Sequence, residues 1–118
     1  MKLAIVGSRN YDDYESFSNA MNHILSKLKF KVSLIISGGC RGTDKMSERY
    51  ADEHLIEKKI FEANWALYGK KAGILRNNCI ANECDMLVAF VMKDSIGTRN
   101  TISLVKNLDK SYITFEVS

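Results

Sequence analysis

Residues 86–91, Met-Leu-Val-Ala-Phe-Val, form an uninterrupted apolar row. A strand covered by helices on both faces needs an apolar side chain at every position, whereas a strand with one wet face alternates. The row therefore predicts a central strand of a parallel sheet. Residues 34–36, Leu-Ile-Ile, repeat the pattern inside Ser33–Ser37 and are stopped by Gly38-Gly39.

The rest of the chain arranges itself around these two rows. Lys2–Val6 is a β-prone run ending at Gly7, and Tyr14–Leu28 places Phe17, Met21, Ile24, Leu25 and Leu28 on one helical stripe. Thr43 reads as the cap of a second helix with Met46, Tyr50, Ala51 and Leu55 facing inward and Asp44 set against the helix dipole. Glu57–Glu62 reads as an edge strand, Gly69–Glu83 as a helix, Gly97-Thr98 as the start of a last helix, and Tyr112–Val117 as a last strand. Strict βα alternation with right-handed crossovers gives an α/β, Rossmann-like, doubly wound, mainly parallel five-stranded sheet of order 3-2-1-4-5. Residues 1–118 make one domain, and its switch point lies between strands one and four, where ligands of such sheets bind.

The composition suits a soluble domain: 46% of the residues are apolar and 26% charged, and no apolar run approaches a membrane span. The opening MKLAIVGSRN is too short in apolar residues for a secretory signal, so a cytoplasmic protein without membrane contact is expected. The net charge of +3 is scattered, without the basic block of a duplex-DNA binder. Cys40, Cys79 and Cys84 lack the spacing of a zinc set and read as free buried thiols, and His23 and His54 stand alone, so neither a metal nor another cofactor is expected.

Three loops fall on one edge of this sheet: Gly7-Ser8-Arg9, residues 37–44 (SGGCRGTD) and Ser95-Ile96-Gly97-Thr98. Glycines let backbone N–H groups approach an anion, and helix N-termini add unpaired donors. The second loop lacks the Gly-Lys-Ser/Thr ending of a Walker loop, and GxGxxG is absent after strand one, so triphosphatase and hydride-transfer chemistry are disfavoured. Arg76-Asn77 reads either as a phosphate or ribose clamp or as a solvated helix face. Trp65 and Tyr11 either stack on a base or cover the core.

With AIVGSRNY, ISGGCRGTD, EANWALYGKKAGILRNNCI, CDMLVAF and GTRNTI in this order, the chain resembles the small YspA-like branch of the SLOG superfamily. That superfamily also includes the Lonely Guy phosphoribohydrolases and DprA. The resemblance implies a nucleotide pocket lined by Gly38, Gly39, Gly42, Thr43, Asp44, Arg76, Asn77, Gly97 and Thr98, with Trp65 on the ligand side. One departure is specific. The hydrolases carry Pro-Gly-Gly-x-Gly-Thr-x-x-Glu after strand four, and here Thr101 stands at the glutamate position. Hydrolysis would need another carboxylate, Asp44 or Asp94.

The resulting expectation is a module that senses or sequesters a nucleotide-derived small molecule, with phosphate on the backbone donors of residues 38–43 and 97–98. An N-glycosidase acting on a nucleoside monophosphate is the alternative. A DprA-like binder of single-stranded nucleic acid is a further one, not favoured by the charge pattern. The resemblance also implies a homo-oligomer, for which the helix of Gly73, Ile74 and Ile80 offers a contact surface.

Overall fold

The computed structural model describes residues 1–93 and 95–118. Five strands, β1 (Lys2–Gly7), β2 (Leu34–Ser37), β3 (Glu57–Ile60), β4 (Met86–Val91) and β5 (Ser111–Glu116), form one sheet of order β3-β2-β1-β4-β5. Every neighbouring pair is parallel, with Leu3 beside Met86 and Gly7 beside Phe90 along the central seam. The helices are α1 (Tyr14–Lys27), α2 (Thr43–Glu53), α3 (Trp65–Tyr68), α4 (Ala72–Glu83) and α5 (Ile96–Asn107), with a 3₁₀ turn at Gly69–Lys71 before α4.

The apolar row of residues 86–91 explains itself once its faces are separated. Met86, Val88 and Phe90 join Leu3, Ile5 and Ile35 against Phe17 and Met21 of α1 and Met46 and Tyr50 of α2. Leu87, Ala89 and Val91 join Ala4, Val6 and Ile36 against Ile80 of α4 and Val105 of α5. Each face is a separate apolar layer, and each fully buried large side chain contributes roughly 1.5–3 kcal/mol. Phe90 is the hub of the first layer, with ring centroids 4.9 Å from Phe17, 5.6 Å from Tyr11 and 5.2 Å from Phe115. Tyr11, 3% exposed, thus belongs to the core.

Several local expectations are corrected. Gly42, not Thr43, is the N-cap of α2, because the Thr43 hydroxyl donates to the Ser8 carbonyl and is not turned to the helix amides. Leu55 is 94% exposed: the chain leaves α2 before it and takes φ +56° there, so Ile56 packs on the core instead. Only Cys84 of the free thiols is buried, while Cys79 is exposed on α4 and Cys40 is partly covered. Between β3 and α4 the chain makes an extra turn, α3, because the Asn64 side chain accepts from Leu67 N–H and Gly69, at φ +57°, stops it. No helix among the described residues is long and apolar enough to cross a membrane.

Lys110, which no sequence pattern singles out, closes the far end of the second layer. Its Nζ donates to the carbonyls of Ala81 (2.8 Å), Asn82 (2.8 Å) and Cys84 (2.7 Å), the unpaired acceptors at the end of α4. Lys110→Met keeps the stem and removes the donors. The expected result in chemical denaturation is a loss of about 1–3 kcal/mol with an unchanged m-value.

Candidate functional site

Beyond the paired C-terminal ends of β1 and β4 the two loops part, because the helices that follow them, α1 and α5, cover opposite faces of the sheet. A cleft of about 320 Å³ opens at this point. Gly7, Ser8 and Arg9 line it from the first loop, Gly38 and Asp44 from the second, and Gly97 and Thr98 from the fourth. Arg76 and Asn77 reach it from α4.

The first wall is built by an interlock between the β1 loop and the start of α2. The Ser8 carbonyl accepts from both the N–H (3.1 Å) and the Oγ1 (3.0 Å) of Thr43. A Cβ on Gly7 would lie 2.5 Å from Thr43 Oγ1 and from the Phe90 carbonyl, and one on Gly42 2.5 Å from the Arg9 carbonyl. Gly42 also needs φ +73°, which disfavours any L side chain. Arg41 fastens the same seam by donating to the Arg9 carbonyl and to Asn10 Oδ1. Gly39, Gly42 and Thr43 therefore stand behind the lining rather than on it.

The second wall is a strut across the cleft floor. Arg76 Nη1 donates to the Gly38 carbonyl at 2.8 Å and lies 3.6 Å from Cys40 Sγ, while its Nε donates to Asn77 Oδ1 at 2.8 Å. Asn77 in turn donates to the Gly97 carbonyl (3.3 Å) and Asn100 Oδ1 (3.0 Å). The pair faces inward, Asn77 being buried, and ties the loop after β2 to that after β4.

Asp44 lies behind Gly38 and is 5% exposed. Its Oδ2 accepts from Cys40 N–H at 3.1 Å, and its Oδ1 is buried with no hydrogen-bond partner. Burial pushes the carboxyl up to about 6, against the Cys40 hydrogen bond and the Arg76 charge, which both pull it down. At neutral pH it is ionised at a cost to the fold.

The third element is the N-terminus of α5. Among the described residues nothing accepts from the N–H groups of Ile96, Gly97 or Thr98, and Ser95 Oγ is turned back to accept from Met92 N–H. Such donors, together with the helix dipole, are able to hold an anion. Thr101 lines the same wall, its hydroxyl donating to the Gly97 carbonyl. Asp94, the other candidate carboxylate, lies outside the described residues.

Trp65 is not brought to the cleft. It is 53% exposed, and its ring covers Gly73 of α4, where a Cβ would lie 3.2 Å from Cη2. Cys40, Arg41 and Ser95 line the cleft from within the loops 37–44 and 95–98, whereas Asn10 has no expected role and Ile80, expected in an oligomer contact surface, is buried and lines the cleft instead. Ile80 could have been found, since it lies one helical turn beyond Arg76 and Asn77. Asn10 carries no sequence signal of its own.

Comparisons with known proteins agree with this frame. The family model described as YspA, cpYpsA-related SLOG family matches residues 1–68. The Gene 61 protein of Mycobacterium phage D29 is 30% identical over 105 residues, covering 84% of this chain and 83% of that protein. Among solved structures, DNA processing protein A (DprA) from Streptococcus pneumoniae superposes with a TM-score of 0.77 at 16% identity, over 99% of this chain and 50% of that one. DNA processing protein A from Helicobacter pylori, described for its single-stranded DNA binding mode, gives 0.74 at 16% identity, over 100% of this chain and 66% of that one. The chain thus spans about half and about two thirds of these two structures, and the likeness is one of fold.

Two outcomes follow from the glycines and from Asp44. A Cβ on Gly38 would meet Arg76 Nη1 at 2.8 Å and Asp44 Oδ2 at 3.0 Å, side-chain atoms at least one of which can move. Gly38→Ala should therefore melt near wild type while displacing Arg76, whereas Gly7→Ala, which meets the Phe90 backbone at 2.5 Å, should lose a few kcal/mol, roughly the cost of overpacking. For Asp44 the folded carboxyl titrates near 6 against 3.8 in the unfolded chain, so the folded state binds more protons between these values. Its contribution to stability is present below about 3.8 and is lost as pH rises through 6. Thermal melts of Asp44→Asn against wild type should nearly coincide near pH 4, separate as pH rises to 6 and stay apart above it, the variant being the more stable by up to about 3 kcal/mol. Parallel curves across that range would contradict the assignment.

Proposed function

Since the chain belongs to the YspA, cpYpsA-related SLOG family, we propose that it binds a nucleotide or nucleotide-derived ligand in the cleft between β1 and β4, for sensing or sequestration rather than turnover. The observation that carries this reading is the meeting, round one cavity of about 320 Å³, of the α5 amide donors and the Arg76 guanidinium. The volume lies at the small end of ligand sites, of order 300–1,000 Å³, and suits a nucleotide-sized guest. Phosphate belongs on the α5 end. The second loop is less free for it, because Cys40 N–H is held by Asp44 and Thr43 N–H by Ser8.

One observation favours a second reading, cleavage of a nucleoside monophosphate at its glycosidic bond. Asp44 titrates near 6, in the range where a carboxyl exchanges protons at neutral pH. Against it, no second carboxylate lines the cleft among the described residues, and Thr101 offers none. Release of free base by wild type, lost in Asp44→Asn, would support cleavage; no release is expected.

Self-association remains part of the proposal, resting on the exposed apolar side chains of Trp65, Leu67, Tyr68, Ile74 and Leu75 along α3 and α4. Binding is tested by thermal shift and calorimetry with nucleoside mono- and diphosphates, ADP-ribose and cyclic dinucleotides. At least one should raise the melting temperature, a ligand at a hundred times its Kd adding about 2.7 kcal/mol. Arg76→Ala should weaken that binding about tenfold or more with the fold retained. No shift across the set, or full affinity in Arg76→Ala, would overturn the reading, and a salt-sensitive shift with oligodeoxynucleotides alone would replace it with strand binding.

A further inference from the structure

One acceptor in the cleft is left over after every contact within the chain is counted. Asp44 Oδ2 holds the loop through Cys40 N–H, but Oδ1 has no donor and no contact with bulk water. A buried carboxylate oxygen without a donor is destabilising, and native proteins retain such groups where something else supplies the partner. Asp44 lines the cleft, so a guest that displaces what covers Oδ1 can supply the missing donor.

The surroundings restrict what that donor can be. Arg76 already places a positive charge on the far side of Gly38, where a Cβ would come 2.8 Å from Nη1 and 3.0 Å from Asp44 Oδ2. Glu48, one turn further along α2, also acts on Asp44 with its negative charge but is paired with Lys45 at 3.3 Å, so Arg76 and Asp44 already balance each other. A cationic donor would add an uncompensated positive charge to this desolvated spot, whereas a neutral donor leaves the balance intact. No described lining residue is aromatic, so this end offers no flat apolar face to a base. The amides able to hold an anion are at the α5 end of the same cavity. In a nucleotide the group bonded to the phosphate is the sugar, and its hydroxyls are neutral donors.

We propose that Asp44 accepts a hydrogen bond from a sugar hydroxyl of the bound ligand, so that the cleft takes ribose-bearing nucleotides over their deoxyribose counterparts. The proposal rests on the nucleotide reading above and names the residue that sets its sugar specificity. A site that hydrogen-bonds a substrate hydroxyl discriminates strongly against the analogue lacking it, because the protein group is then left unpaired.

The test is calorimetric titration of wild type and Asp44→Asn with AMP, GMP, CMP and UMP, each alongside its 2′-deoxy and 3′-deoxy form, and with IMP. For whichever base binds, wild type should hold the ribonucleotide about tenfold or more above one deoxy form. In Asp44→Asn the ratio should fall toward one while the deoxy affinity changes little, and the melting curve confirms that the variant is folded. Equal binding of ribo and deoxy forms to wild type, with Arg76-dependent binding of both, would sink the sugar assignment and leave the nucleotide reading standing. A ratio unchanged in Asp44→Asn would sink it too. So would a variant that loses preference for AMP over IMP or CMP over UMP instead, since Asp44 would then read a base amino group. No binding by any member removes both.

Discussion

The carbonyl of Ser8 is the joint on which the site is hung. By accepting from both the backbone and the hydroxyl of Thr43, it pins the first turn of α2 against the end of β1, the central strand of the sheet. Ser8 N–H in turn donates to the Phe90 carbonyl at 2.9 Å, so the ends of β1, β4 and α2 share one point. The approach is close enough to forbid a side chain at Gly7 and at Gly42, where the chain also turns through a left-handed conformation. Because α2 cannot slide, Asp44 in its first turn cannot turn away from the cleft. The cost of its burial is offset by packing elsewhere, as in the contacts of Phe17 with Tyr50 and Phe90.

The Arg76-Asn77 strut performs the corresponding task on the other face of the sheet. Its members are consecutive residues of α4, yet they serve different loops: the guanidinium reaches Gly38 and the amide reaches Gly97. Consecutive positions on a helix point about 100° apart, which lets neighbours serve two loops. The turn of α3, capped by Asn64 and ended by Gly69, leads into this helix, with Trp65 laid over Gly73. Arg76 uses Nη1 and Nε internally, which leaves its Nη2 and, on the other wall, the α5 amides without a described partner.

What was legible in the sequence follows the range of the forces involved. The apolar rows 34–36 and 86–91 give strand identity and order because burial on two faces is a demand on every residue of a segment. The ligand loops could be placed because glycine at a strand end is itself a local signal. Arg76-Asn77 stayed open between clamp and solvated face, since which way a helix face points depends on the sheet it meets. Lys110 was invisible, as its three acceptors at the end of α4 lie 26 to 29 residues away. Leu55 misled because its spacing continues the stripe of Met46 and Ala51 although the helix has already ended. The donors of the second loop misled for another reason: a glycine-rich turn advertises free amides, and here the interlock and Asp44 have claimed two of them.

This last point bears on holding against cutting. A hydrolase needs a carboxylate that meets the reacting sugar and is free to change its proton or charge state during the reaction. Asp44 is tethered by Cys40 N–H on one oxygen and sealed on the other, in a position fixed by the Ser8 joint. Thr101, on the α5 wall, has a hydroxyl already directed to the Gly97 carbonyl. The carboxyl is thus held in one place at one end of a cleft whose other end is the α5 N-terminus, an arrangement that agrees with the proposed holding of a ligand. Under the proposed sugar contact, the stability forgone in keeping Asp44 ionised would be recovered when a guest supplies the missing donor, tying occupancy of the cleft to the firmness of the fold around it.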